Sequence, residues 1–577
     1  MKVAEDGQHV YAFGPFRLDV AGRALLRGDT VVPLLPKSFE TLAVLVRNYG
    51  KLLDKDVLMG SVWQDAVVEE NSLAKAISDV RKALGDEPKH QRYIVTVPGR
   101  GYRFAATVTT VASTSQTHSI AVRPFTTMTG QPADEYLGVG LADALITRLS
   151  RAKRILVRPT SAVLRFDGAS KDAATIAREL DVDWLIDGTV RRAGDRIRVS
   201  VQLVETPTGT TAWADTFDET LTDLFAVEDT ISRRVVAALA VRLTGAEEQL
   251  LARHQTDRGE AYELYLKGRF FWTRRTPDAI DKAIDYFERA IASDPEYALA
   301  YAGLADAYII LGLQSALLGG RRPTDTFPKA QTAVVKALQL DHALAEAHTS
   351  LGHIKFSYQW DWNGAEECFI TSTGLNPHYA HGRNAYAIAL MFSGRIEEAL
   401  TQITEARRLD PLSTIINTTC GWLLYYAHRP DDAIVQLRNT IEKDPHSALA
   451  HHRLGLALEA KGLYDEAVNE FATAQHLSGN GPLATASRAY VDALCGRREQ
   501  GEAALQQLLA ASKTQYVAAP YIAEIYVALG DYHRAFSWLE QGVDERSGAI
   551  AALRVNPRLD PIRDTPRFKT LLQGIWR

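Results

Sequence analysis

The stretch VEENSLAKAISDVRKAL, residues 68–84, reads as one helix with two opposed faces. At about 100° per residue, Leu73, Ile77, Val80 and Leu84 form one buried-type stripe. Asn71, Lys75, Ser78 and Lys82 fall on the other side, with Arg81 at the flank. That face is polar, partly basic and free of bulky apolar residues. It suits a DNA major groove, where Asn and Lys meet base edges and Arg and Lys meet phosphates. The competing reading is a solvated surface helix, and the residues that follow decide between the two.

Eight residues on comes YIVTVPGRGYRF, residues 93–104. Two β-rich runs flank Pro98-Gly-Arg-Gly101, a tight hairpin with Arg100 near its tip. A polar-faced helix followed by a basic-tipped hairpin is a winged helix. Residues 10–106 resemble the OmpR/PhoB-type winged-helix DNA-binding domain in the variant used by CadC-like regulators. The resemblance is carried by Leu35-Pro-Lys37, by residues 67–73 (VVEENSL), by Ile77-Ser78 with Arg81-Lys-Ala-Leu-Gly85, and by Tyr93-Ile94, Thr96-Val97 and Gly101-Tyr-Arg-Phe104. It implies DNA contacts from Asn71, Ser72, Lys75, Ser78, Arg81 and Lys82 on the helix. On the wing it implies Thr96, Arg100 and Tyr102. Response-regulator members often place Arg directly after the Thr-Val of the wing; here Pro98 stands there, and Arg100 lies two residues later.

Upstream, short strands are expected at residues 11–13, 16–19, 24–26 and 31–34, between Gly and Pro punctuation. Helix one is expected from Lys37 to Asn48, with Phe39, Leu42, Leu45 and Val46 inward. Helix two starts at Asp54 as N-cap and carries Val57, Leu58, Val62 and Trp63. In the resembled family the loop before the recognition helix touches RNA polymerase. Its Asp65, Glu69 and Glu70 permit that here, and equally fit a solvated turn with helix N-terminal charges.

A chain of 577 residues exceeds one hydrophobic core, so several domains are expected. The boundaries read as a winged helix over 1–108, a Ser/Thr-rich linker over 109–118, an α/β domain over 119–245, a linker helix over 246–259, a helical repeat array over 260–550 and a cap over 551–577. The fold class is therefore multidomain: a winged helix-turn-helix, a small α/β domain and an all-α solenoid. Net charge is −5 overall, divided into +2 over residues 1–108 and −7 over the rest. The sign change matches a DNA-binding head on an acidic body. Cys368, Cys420 and Cys495 are far apart, with no CxxC and no zinc spacing, as expected of buried free thiols. No metal and no cofactor are expected. The first ten residues lack an apolar signal core. Residues 105–118 are too polar to span a bilayer, and the apolar run 297–320 is broken by Asp306 and Gln314. A cytoplasmic protein with no membrane span is expected.

The α/β segment resembles the TolB amino-terminal-like domain, also found beside bacterial adenylate cyclases and repeat modules. Its carrying residues are Val122, Pro124-Phe125, Leu137, Gly140, Asp143, Leu145, Asp187-Gly-Thr-Val190 and Arg196-Ile-Arg-Val199. Gly138-Val-Gly140 is read as a turn ahead of a helix rather than a phosphate loop, because no third Gly and no GKS/T follow. Asp134, Glu135 and Asp143 are read as surface carboxylates. No catalytic constellation is visible, so an enzyme is not expected.

From residue 260 the chain is periodic. Ala365, Ala399, Ala433, Ala467 and Ala535 lie on a 34-residue lattice, with Gly501 at the missing point. Phe369, Ile403, Leu437, Phe471, Leu505 and Leu539 repeat it four residues later, and Ala387, Gly421, Gly455, Ala489 and Ala523 repeat it on the preceding helix. Pro377, Pro411 and Pro445 close units. This is the tetratricopeptide signature, with about eight units. Pro295 and His342 stand 47 residues apart, an insertion of 13, and a one-residue insertion is expected near 358–362. Groove-lining positions fall on Thr349, Asn384, Thr418 and His452, with Trp422 and Tyr425 nearby; the alternative is that these are ordinary residues of packed helices.

Together these features indicate a DNA-binding transcriptional regulator. Its partners would be double-stranded DNA, RNA polymerase at the acidic loop, and a protein or second copy at the repeats. The alternative is a repeat scaffold whose winged helix binds protein. A third reading, an enzyme acting through the α/β domain, has no residues behind it.

Overall fold

The computed structural model describes residues 9–19, 24–27, 30–32, 34, 36–62, 70–86, 91–112, 118–128, 134–152, 154–166, 172–206, 208–220, 224–239, 256–318 and 321–576. The chain divides into two units, Met1–Gln116 and Thr117–Arg577.

The first unit starts with four short strands, β1 (His9–Phe13), β2 (Phe16–Asp19), β3 (Ala24–Arg27) and β4 (Thr30–Val32). Then come α1 (Pro36–Arg47), β5 (Leu52–Asp54), α2 (Lys55–Val62), α3 (Glu70–Leu84), β6 (Ile94–Val97), β7 (Gly101–Phe104) and β8 (Thr109–Ala112). One antiparallel sheet has the order β4-β3-β2-β1-β8, and a second the order β5-β7-β6. An aromatic cluster joins them: Phe13 meets Phe104 edge-on at 4.9 Å, and Phe16 meets Tyr93 at 5.7 Å. Burying each such ring contributes roughly 1.5–3 kcal/mol. Two expectations need correction. Residues 109–112 belong to this unit as β8, paired with β1, and are not linker. Val57 is 52% exposed, while Leu58 and Val62 carry the apolar side of α2. Trp63 lies outside the described residues.

The second unit opens with the α/β domain: β9 (His118–Val122), β10 (Thr126–Thr127), α4 (Glu135–Leu149), β11 (Ile155–Val157), α5 (Thr160–Val163), α6 (Ala173–Leu180), β12 (Trp184–Ala193), β13 (Arg196–Glu205), β14 (Thr211–Thr220) and α7 (Leu224–Ala238). The sheet runs β11-β9-β12-β13-β14, parallel through β12 and then antiparallel. Ile197, Val199, Val201 and Leu203 face its core, as their alternation requires. Gly138 and Gly140 lie inside α4 rather than in a turn ahead of it. A Cβ on Gly138 would meet the Phe125 carbonyl oxygen, and one on Gly140 would lie 3.0 Å from Leu266 Cβ. Close approach of neighbouring chain, not phosphate binding, selects these glycines.

Helix pairs follow: α8 (Gly259–Thr273) with α9 (Pro277–Ser293), α10 (Ala298–Leu318) with α11 (Pro323–Leu340), α12 (Ala345–Ile354) with α13 (Trp362–Leu375), α14 (Ala380–Phe392) with α15 (Ile396–Leu409), α16 (Thr414–Tyr426) with α17 (Pro430–Lys443), α18 (Ala448–Ala460) with α19 (Tyr464–Leu477), α20 (Pro482–Leu494) with α21 (Arg498–Ala511), and α22 (Ala519–Ala528) with α23 (Tyr532–Asp544). The lattices of small and large residues are partners across each pair. A Cβ on Gly455 would lie 2.5 Å from the Phe471 ring, and one on Gly352 2.7 Å from Phe369. Asn376 and Asp444, each just before a proline, accept the backbone N–H two residues on, at 3.1 and 3.3 Å, and so shape the inter-repeat turn. The 13-residue insertion lengthens α10 to 21 and α11 to 18 residues. The one-residue insertion becomes a π turn over Lys355–Gln359, closed by Trp360 at φ +59. Among the described residues, no helix is long and apolar enough to cross a membrane.

The α/β domain and the repeats share one compact unit rather than standing as separate domains. Asp143, read as a surface carboxylate, is buried; it accepts from Arg269 of α8 at 2.7 and 3.1 Å and from Thr160 at 2.5 Å. Asp134 is buried beside Arg192. Arg158 reaches across the chain to the Leu409 and Arg408 carbonyls at 2.8 and 3.0 Å, and Ser161 donates to Asp410 at 2.8 Å.

Candidate nucleic-acid interface

α3 is positioned by its apolar stripe. Leu73, Ala76, Ile77, Val80 and Leu84 are buried, and Ser38 of α1 donates to Asp79 at 3.2 Å. The opposite face is left outward: Lys75, Ser78 and Lys82 are exposed, and Ser72 is half-buried. Asn71 and Glu70 lie on the first turn of α3, where only their backbone is described; Asp65 and Glu69 fall outside the described residues.

The wing is the β6–β7 hairpin. Gly99 adopts φ +73 at its tip, Arg100 N–H donates to the Val97 carbonyl at 3.1 Å, and the Arg100 side chain is exposed. Tyr102 is half-buried against the core. Arg81 departs from the expected phosphate contact. Its guanidinium donates to the Ile94 carbonyl at 2.9 Å and to Thr96 Oγ1 at 2.8 Å, so Arg81 and Thr96 hold the wing against α3. Sequence reasoning missed Asp86. Its buried carboxylate accepts the backbone N–H groups of Arg92, Tyr93 and Ile94 at 2.6, 3.1 and 2.8 Å, which fixes the start of β6. The Gly85-Asp86 pair directly after α3 was the available signal, because Gly85 takes φ +65 to end the helix.

In the repeats, the expected groove residues are not on an open surface. Thr349, Asn384, Thr418, Tyr425 and His452 are buried; Trp422 is half-buried beneath the Arg453 guanidinium, 3.7 Å from its ring centroid. Thr349 is hydrogen-bonded to Ser372 at 2.8 Å and His452 to Ser487 at 2.9 Å. Other parts of the chain pack against the repeats. Toward the start, α4 and α5 face the first helices of the repeats around a cavity of about 300 Å³, lined by Asp143, Thr160, Arg269, Asp306, Tyr379 and His381. Burial pushes the Asp306 carboxyl up to about 6. Toward the end, Ala551 and Ala552 belong to the same buried cluster as Phe356, Leu390 and Leu423.

Comparison with known proteins bears on these parts one by one. Residues 29–104 match the family of C-terminal domains of transcriptional regulatory proteins. The first unit carries an OmpR/PhoB-type winged helix. Behind it, residues 115–234 match the second domain of HilA/YgeH-like transcriptional regulators, the family found where the sequence resembled TolB, and residues 280–315 and 420–482 match tetratricopeptide repeats. HilA of Salmonella typhi is 26% identical over 478 residues, spanning 81% of this chain and 83% of that protein. A putative adenylate cyclase 3 of Rhizobium meliloti is 36% identical over 188 residues, 32% of each chain. Among solved structures, the DNA-binding domain of E. coli CadC is 27% identical, covers 18% of this chain and 99% of that domain, and superposes with a TM-score of 0.17.

The chain is thus homologous to transcriptional regulators over most of its length. Among the described residues, the winged helix exposes Lys75, Ser78 and Lys82 on the outward face of α3 and Arg100 at the wing tip. Among the described residues, no group of His, Cys, Asp and Glu is arranged to hold a metal ion.

Proposed function

We propose that this chain is a sequence-specific, DNA-binding transcriptional regulator working in the cytoplasm. In this reading α3 enters the major groove and the wing reaches the adjacent minor groove. The observation that carries it is the outward face of α3: Lys75, Ser78 and Lys82 are exposed opposite a fully buried Leu73/Ile77/Val80 stripe. Asn71, Lys75 and Ser78 read base edges, and Lys82 meets phosphate. Arg100, next to Gly99 and Gly101, meets the narrow groove. Arg81 and Thr96 serve indirectly, by fixing the wing. Asp65, Glu69 and Glu70 are proposed to face RNA polymerase, and the repeats to hold a protein partner.

Selection of duplexes from a random pool by the full chain tests this reading. Enrichment of one motif, with affinity falling steeply as salt rises, is the expected result. Recovery of no motif, with weak binding independent of sequence, would favour the scaffold reading.

A further inference from the structure

The first helices of the last three repeats hold a later segment of the chain. After α23 the backbone turns at Arg546, φ +52. Residues 547–566 then run through short turns, Gly548–Ala552, Pro557–Leu559 and Asp560–Arg563. Arg558 points inward and is 5% exposed. It donates to Glu459 Oε1 and Oε2 at 3.0 and 2.5 Å, to Glu524 Oε2 at 2.9 Å and to Ser487 Oγ at 3.1 Å; its guanidinium carbon lies 4.4 Å from the Tyr490 ring centroid. Asn556 adds a bond to Glu524 Oε1 at 2.7 Å. Glu459, Ser487 and Glu524 come from α18, α20 and α22, the first helices of three successive repeats.

A segment that only closes the solenoid has no need of these ions. Beyond the segment, Phe568 and Ile575 are buried and close the array by apolar packing. Exchange of a buried ion cluster for apolar residues is often neutral or stabilising, so such a cluster is better suited to selectivity than to stability. A two-oxygen grip on a guanidinium distinguishes Arg from Lys and from neutral side chains. Without the arginine, the buried Glu459 carboxylate keeps the burial and the nearby Glu524 that disfavour its charged form, and loses the cation that favours it.

We propose that the groove of the last three repeats is a receptor for an arginine-bearing segment of a partner protein, occupied here by residues 547–566 as an internal ligand that the partner displaces. The proposal rests on the repeats being the partner module. An occupied groove lowers the apparent affinity for the partner by the fraction of molecules in which it is free.

The probe is a fluorescein-labelled synthetic peptide with the sequence of residues 547–566, SGAIAALRVNPRLDPIRDTP, titrated against the full chain by anisotropy. Arg558→Gln in the chain removes the internal anchor. Arg563→Gln is the second variant: Arg563 holds the Arg554 and Asn556 carbonyls at 2.6 Å each, and its loss loosens the segment while keeping Arg558 in the chain to pair Glu459 and Glu524. Both variants should bind the peptide about tenfold or more tightly than the parent. The same peptide carrying Arg558→Gln should bind none of the chains. If Arg558→Gln loses helical circular dichroism, Arg563→Gln carries the comparison. Equal affinity of parent and variants, or equal binding of the two peptides, overturns the proposal. Capture of a partner by a chain that fails this test would leave the partner-module reading standing and sink the arginine groove alone.

Discussion

At Gly101 a Cβ would meet the Leu53 carbonyl oxygen, where β5 pairs with β7. Alanine there must push two paired strands apart, so Gly101→Ala should destabilise the first unit by about 1–3 kcal/mol. Hydrogen exchange on the full chain reads this directly: amides of the wing should exchange faster, and those of the repeats should not change. Unchanged protection at Leu53 and Tyr102 would contradict it. Single side chains were also where sequence was least informative. The stripe of α3 was legible because periodicity alone orients it. That Arg81 bonds to Thr96 and Ile94, while Lys82 stays exposed, depends on where the wing folds back, and no spacing along the chain encodes that distance. Asp143 was misread for the same reason, its partner Arg269 lying 126 residues away.

At the scale of elements, the repeats were legible because each helix pair makes the same local contact. The small and large lattices predict each other, and Gly455 against Phe471 is one instance. Gly455→Ala should cost about 1–3 kcal/mol by forcing the ring out of its place. Phe471→Leu frees that space, so the pair should be non-additive, with a coupling of about 0.5–3 kcal/mol. A double-mutant cycle from chemical denaturation measures it, and simple additivity would show that the two lattices do not meet. β8 escaped the reading because a Thr-rich run serves as well for linker as for edge strand; only the open edge of β1 decides. The α4 glycines escaped because a buried close approach looks like a turn in one dimension.

Across the molecule, the α/β domain and repeats enclose groups that resist protonation. Burial pushes the His353 imidazole down to about 4; burial, with Arg275, His353 and Arg269 nearby, pushes His381 down to about 3. Both take up protons near 6.5 once unfolded. Their contribution to stability is therefore complete above about 6.5 and is lost as pH falls toward about 4 for His353 and about 3 for His381. Asp306, raised to about 6, acts in the opposite sense, so the comparison must be between chains that share it. The thermal midpoint of the parent should fall more steeply between these pH values than that of a His353→Gln/His381→Gln chain; parallel profiles would contradict the assignment. The seat of Arg558 against the last repeats was not legible either, since Arg558 and Glu459 are 99 residues apart.

The central claim, that α3 reads DNA through its outward face, is tested most directly by binding isotherms on specific and scrambled duplexes at several salt concentrations. Lys75→Ala should lose about 1–3 kcal/mol on the specific duplex and little on the scrambled one. Lys82→Ala should weaken both alike and reduce the salt slope by about one. Arg100→Ala should weaken most the sites with A·T-rich flanks. If all three chains bind both duplexes as the parent does, the outward face of α3 is a solvated surface and the claim fails.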